Sequence, residues 1–152
     1  MPKIDIDAIP AKTMTIYPAP FAALTEGRAK RALGNAGGLA RFGVNLTRLA
    51  PGAISSLKHW HENEDEFVFI LEGEATLVEN DTETQLSAGE AATFKAGNDV
   101  AHQLLNRSAC DVVYLEVGSR AEEEHAHYPD HDLDYRRDAT GHHFTRKDGT
   151  PY

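Results

Sequence analysis

From Arg41 onward, apolar and polar residues alternate in short runs separated by turn residues. Phe42-Gly-Val-Asn-Leu-Thr-Arg-Leu49 alternates and stops at Pro51-Gly52, and Ile54 to His61 alternates again up to a turn at Asn63. Phe67 to Leu71 is β-branched and aromatic and ends at Gly73. Ala75 to Val78, Glu83 to Leu86, Ala91 to Phe94, His102 to Asn106 and Val112 to Val117 follow, divided by Asn80-Asp81, Ala88-Gly89 and Ala96-Gly97-Asn98. Runs of about 4–8 residues spaced about 8–12 apart, with turn signals between them, predict an antiparallel sandwich or barrel. Leu133 to Arg136 and His143 to Arg146 are expected as edge strands. No stretch between 41 and 118 keeps a helical period for long.

The first 40 residues read differently. Pro2, Pro10, Pro18 and Pro20 break any long element. A short helix is expected around Glu26 to Leu33, ended by the glycine-rich loop 34–38. That loop lacks the G-x-G-x-x-G spacing of a dinucleotide site and reads as a connector.

Strand parity points to chemistry. In a strand, side chains two apart share a face, so His59 and His61 project together and Trp60 projects oppositely. After the turn at Asn63, Glu66 opens the returning strand, in step with Val68 and Ile70. Two imidazoles and a carboxylate suit Fe(II), Mn(II), Zn(II), Ni(II) or Co(II), and not an all-oxygen calcium cage. On spacing alone, two half-exposed histidines on a polar strand are the more ordinary outcome. Glu62 and Glu64 rival Glu66 for the acidic role.

The wider pattern adds a resemblance. Gly52…His59-x-His61…Glu66…Gly73 resembles the first motif of the cupin superfamily, and Gly89-EAATF-Lys95-Ala-Gly97…His102-QLL-Asn106 resembles the second. The gap from Gly52 to His59 is six residues where five is usual, Lys95 stands where cupins usually have proline, and the loop from Gly97 to His102 is two residues longer. The resemblance implies that His59, His61, Glu66 and His102 ligate one divalent transition metal per chain inside a β-barrel. The lead-in FGVNLTRLAPG and the tail from YLEVGSR to FTRKDGTPY are similar to small single-domain cupins labelled as sugar-phosphate isomerases.

The expected architecture is therefore all-β: a single-domain cupin (double-stranded β-helix, or jelly-roll barrel). Residues 1–40 form an N-terminal arm of the same domain, 41–118 the barrel core, and 119–152 a C-terminal extension packing on it. Parity with the ligands sends Ser55, Leu57, Val68, Ile70, Leu104 and Asn106 inward, which predicts a mostly apolar lining. The parity of Asn45, Thr47, Arg48, Tyr114 and Glu116 stays open, and no general base is assigned. Arg48 is expected in surface contacts. A second group in the tail, Glu122 to His131 with His125 and His127, is expected to be an exposed polar segment interrupted by Pro129. His142 and His143, being adjacent, face apart.

Charge and composition limit the partners. With 41% hydrophobic and 26% charged residues the chain is neither disordered nor a membrane protein. Its net charge of −9 disfavours nucleic acid and anionic lipid as partners and favours a small-molecule ligand. The lone Cys110, in a turn, permits no internal disulfide and reads as inert, and the N-terminus lacks a signal-peptide core, so a cytoplasmic location is expected. Trp60, Phe67 and Phe69 face away from the ligands, which predicts cover by the N-terminal arm or by a second copy in a homodimer. The expected function is a metal-dependent isomerase, epimerase or lyase acting on a hydroxy-carbonyl or sugar-phosphate-like compound. The alternatives are an Fe(II)-dependent dioxygenase and a non-catalytic sensor.

Overall fold

The computed structural model describes residues 3–152, and its regular secondary structure is almost entirely antiparallel strand. Pro2, one of the expected breakers, lies outside the described residues. A 3-10 turn at Ala22–Thr25 precedes strand β1 (Arg28–Ala32) and a one-turn helix, α1 (Leu33–Ala36). The barrel strands are β2 (Phe42–Leu49), β3 (Trp60–His61), β4 (Glu66–Glu72), β5 (Glu74–Glu79), β6 (Thr82–Ser87), β7 (Ala91–Phe94), β8 (His102–Leu105) and β9 (Val112–Ser119). The tail adds β10 (Glu124–Tyr128), β11 (Leu133–Asp138) and β12 (Gly141–Thr145).

One layer is the sheet β1-β2-β9-β4-β7. The facing layer consists of β6-β5-β8 and β12-β11-β10-β3. Residues 54–59 join its two halves through bridges from Ile54 to Leu105 and from His59 to His102. This is the antiparallel sandwich that the alternation predicts, in the jelly-roll arrangement that the resemblance implies. Leu49, Ile70 and Val112, all fully buried, anchor the main core between the layers, each contributing roughly 1.5–3 kcal/mol. A second core of Phe21, Leu57, Ala126, Tyr128, Leu133 and Tyr135 holds the arm against the tail strands.

Two expected elements differ. The helix around Glu26 to Leu33 is instead strand β1. Gly27 turns at φ +82°, and Arg28 to Ala32 then pair with Leu49 back to Asn45. Ala, Arg and Lys are good helix formers, but tertiary pairing overrides so weak a local preference. The tail around Glu122 to His131 is not an exposed polar segment either. Glu124, Ala126 and Tyr128 are buried, because β10 pairs with β3 on one side and β11 on the other. Pro129 follows the strand rather than interrupting it.

Gly73 is a fixed point of the barrel. It lies at φ +78°, and a Cβ there would stand 2.4 Å from the Asp111 carbonyl oxygen. Only glycine fits a left-handed position with backbone that close.

Candidate metal centre and cavity

Residues 53 to 60 alternate strictly between buried and half-buried, even though only Trp60–His61 pairs as a regular strand. That alternation turns Ser55, Leu57 and His59 inward. The long loop before His102 is tied down at several points. Gly97 N–H donates to the His61 carbonyl (2.8 Å) and Ala101 N–H to the Asn80 side chain (3.1 Å). His59 and His102 then exchange backbone hydrogen bonds of 3.1 and 2.8 Å.

The imidazoles and the carboxylate meet at the barrel mouth. His59 Nε2 lies 3.0 Å from His61 Nε2, and Glu66 Oε2 lies 2.9 Å from His102 Nε2 and 3.6 Å from His61 Nε2. The donor atoms of His59, His61 and Glu66 all fall within 4.8 Å of one another. The His59 Nδ1 hydrogen donates to the Leu57 carbonyl at 2.8 Å, which leaves the lone pair on Nε2, facing the cluster. Phe94 stacks on the His102 ring at 3.6 Å and Tyr128 on the His59 ring at 5.7 Å.

Electrostatics favour a cation here. Burial drives the His59 pKa down to about 3, assisted by neighbouring His61, so the ring is a neutral donor. Burial opposes ionisation of Glu66, but the His102 hydrogen bond and the neighbouring His61 outweigh it. Its carboxyl is held well below the usual range. A neutral His59 ring, an ionised Glu66 carboxylate and two ring nitrogens facing each other at hydrogen-bond distance make a donor set compatible with a divalent metal.

Sequence reasoning missed Glu124. It is 3% exposed and accepts backbone N–H groups from Glu62 (3.0 Å), Asn63 (3.3 Å) and His125 (2.9 Å). Its Oε1 stands 3.6 Å from His61 Nδ1, behind the ring. Of the rivals to Glu66, Glu64 binds Arg137 at 2.6 Å, and Glu62 turns outward to His125 (2.9 Å) and His127 (2.7 Å). Glu62, His125 and His127 thus form a separate outer trio, with Asp134 on the far nitrogen of His125 at 2.6 Å. His131 instead packs edge-on against Phe21. His142 meets the Tyr135 hydroxyl and His143 the Thr140 hydroxyl, so the adjacent histidines do face apart.

A cavity of about 350 Å³ opens over the cluster. It is far more charged than parity predicts. Arg28 and Lys30 from β1, Glu64, Glu116 from β9 and Arg137 from β11 all line it. Of these, Glu116 is the one whose parity the alternation left open, and Arg28 and Lys30 fall where a helix was expected. Asn106, expected in the lining, instead clamps its own loop by donating to the Leu49 and Cys110 carbonyls. Arg48 pairs with Asp111 at the surface. Cys110 is exposed.

Residues 45–128 match the cupin domain family. The chain is a cupin. This cupin is similar to a solved sugar phosphate isomerase of the cupin superfamily from Silicibacter pomeroyi, with 45% identity and a TM-score of 0.95 over 99% of this chain and 96% of that one. A proposed sugar phosphate isomerase from Acidithiobacillus ferrooxidans has 24% identity and a TM-score of 0.78 over 88% of this chain and 84% of that one. A polyketide cyclase from Streptomyces resistomycificus has 20% identity and a TM-score of 0.65 over 78% and 79%. The last two share the fold alone. No curated protein matches the cupin significantly.

Proposed function

We propose that this cupin is a metal-dependent enzyme of the isomerase, epimerase or lyase type, acting on a small hydroxy-carbonyl compound such as a sugar phosphate. The convergence of the His59, His61 and Glu66 donor atoms at the mouth of one cavity, with His102 Nε2 on the Glu66 carboxylate, carries the reading. The similarity to the Silicibacter pomeroyi protein, named a sugar phosphate isomerase, supports the substrate class.

His59, His61, Glu66 and His102 would hold one divalent transition ion, with the Leu57 carbonyl orienting His59 and Glu124 orienting His61. Such an ion supplies Lewis-acid polarisation of a carbonyl oxygen. The protein supplies the proton transfer. Arg137 pairs with Glu64, and arginine does not release a proton. Lys30 pairs with Glu116 through Nζ contacts of 2.8 and 3.0 Å, and Asn45 holds the same carboxylate at 3.1 Å. Lysine and glutamate can each take up or give a proton, so the Lys30–Glu116 pair is our assignment for moving hydrogen at substrate carbon. Tyr17, Tyr114 and Tyr128 have pKa values raised chiefly by burial, which keeps them as hydroxyl donors around the substrate.

The test is exchange of carbon-bound hydrogen with deuterated water, followed by NMR under anaerobic conditions on a panel of phosphorylated sugars. Exchange by metal-loaded protein should fall roughly 10²–10⁴-fold in Glu116→Gln, with bound metal unchanged. Oxygen uptake with no exchange would contradict the proposal and support an Fe(II) dioxygenase. Neither reaction, with a metabolite still bound, would leave a sensor.

A further inference from the structure

Among the described residues, one cation in the cavity has no acidic partner. Of the three cationic side chains that line it, Lys30 is paired with Glu116 and Arg137 with Glu64. Arg28 is only 8% exposed and forms no ion pair among the described residues. A guanidinium carries several N–H donors in a rigid fork. Arg28 places one of them, from Nη1, on the Ser55 carbonyl. The Tyr114 hydroxyl, on the same cavity wall, is also buried and faces only the Thr47 hydroxyl as a polar neighbour among the described residues.

An unpaired charge this deep in a protein is costly unless something neutralises it. The cavity's own carboxylates are committed elsewhere: Glu64 to Arg137, Glu116 to Lys30 and Glu66 to the imidazoles. The protein as a whole carries a charge of −9, so an anionic ligand would be repelled without a local cation to receive it. Ser55 and Ser56 connect Arg28 to the metal cluster. The Ser55 and Ser56 hydroxyls lie 3.3 Å apart, and the Ser56 hydroxyl lies 3.3 Å from His59 Nδ1. Arg28 and the imidazoles thus bound one continuous cavity.

We propose that Arg28, with the Tyr114 hydroxyl beside it, is the seat for the oxyanion of the substrate, a phosphate ester or a carboxylate, and so fixes the end of the molecule remote from the metal. This deepens the proposed function and rests on its reading that the cavity takes a small polar hydroxy-carbonyl compound. A planar guanidinium binds two oxyanion oxygens at once, which orients the substrate as well as holding it. The anion replaces the acidic partner that the fold does not provide. The hydroxy-carbonyl end is thereby directed towards His59, His61, Glu66 and His102.

Calorimetric titration of metal-loaded protein with inorganic phosphate, ribose 5-phosphate, ribonate and ribose tests the proposal. The anionic probes should bind more tightly than ribose, and Arg28→Met should weaken them roughly 10- to 150-fold while leaving ribose unaffected. Arg28→Lys, which keeps the charge and loses the fork, should fall between. Tighter binding of ribose 5-phosphate than of ribonate makes the seat a phosphate site, and the reverse order makes it a carboxylate site. If Arg28→Met does not fold, the wild-type preference and the lysine variant decide. Ribose binding as tightly as its anionic relatives, or anions binding the variants as tightly as wild type, would overturn the seat. Metal content measured on the same samples separates the two readings. Arg28-dependent anion binding by a protein that retains no metal would sink the metal-centre reading and leave the anion seat standing.

Discussion

Replacing Glu124 by glutamine changes one oxygen for nitrogen and leaves the volume almost the same, so it isolates the charge. In wild type three backbone N–H groups, of Glu62, Asn63 and His125, point at this carboxylate. A hydrogen bond to a charged group contributes about 1.5–3 kcal/mol, and one between neutral groups about 0.5–1.5. The loss is therefore about 1 kcal/mol for each donor, or about 3 kcal/mol in all. At about 2–4 °C per kcal/mol for a chain of this size, the melting temperature should fall by about 6–12 °C. The substitution also replaces the carboxylate charge behind His61 Nδ1 by a neutral amide. Loss of a group orienting a metal ligand typically costs about 10–100-fold in metal affinity. Differential scanning calorimetry and competition with a chromophoric chelator measure the two effects separately. Unchanged melting and unchanged metal affinity would refute the role assigned to Glu124. Lower stability with full affinity would confine it to holding the 62–63 backbone.

Gly73→Ala should destabilise by more than the about 1–2 kcal/mol of a left-handed alanine, because the Asp111 carbonyl 2.4 Å away is backbone and cannot swing aside; a melting curve like wild type would contradict the packing. Of the five tyrosines, Tyr17, Tyr114, Tyr128 and Tyr135 have pKa values raised above 10.0, first by burial. Their contribution to stability is complete below pH 10 and is lost as pH rises through the raised folded values, so ultraviolet titration should show these four ionising late and together with alkaline unfolding. Val44, Val117 and Phe67 lie side by side on the outer face of the five-stranded sheet, as do Leu46, Leu115 and Phe69. Phe67 is 37% and Leu71 40% exposed. We propose that this face pairs with a second copy; sedimentation should give a homodimer at micromolar concentration, and a clean monomer would refute it.

Cover by the N-terminal arm, the other solution expected for that aromatic face, is not what the chain adopts. Tyr17 and Phe21 pack instead with Tyr128, Phe144 and Tyr152, so the arm closes the cavity. Trp60 is covered by its own tail, stacked on His127 at 4.1 Å.

The alternation of residues 42 to 117 was enough to read most barrel strands. Phe42–Leu49 and Ala91–Phe94 coincide residue for residue. The side chains expected inward, Ser55, Leu57, Val68, Ile70, Leu104 and Asn106, are all buried, because a period of two commits every second residue to one face, but only Ser55, Val68 and Leu104 of them reach the cavity. Two strands were illegible for different reasons. In β1, Arg28-Ala-Lys-Arg-Ala has no apolar contrast between its faces, and only its pairing with β2 makes it a strand. In β10, Glu124 occupies an inward position, and a buried carboxylate looks exposed until the backbone donors that satisfy it are known. The cavity's charged wall comes from β1, β9, β11 and the turn before β4. That is why a mostly apolar lining was expected and a charged one is found.

The central claim is that His59, His61, Glu66 and His102 hold a metal. Elemental analysis of protein purified without added ions, for wild type and a set of histidine variants, tests it most directly. The account predicts about one divalent ion per chain. His59→Ala, His61→Ala and His102→Ala should each deplete it, while His125→Ala and His127→Ala, in the outer trio with Glu62, should leave it in place. Ion lost from the outer-trio variants and retained in His59→Ala would contradict the account.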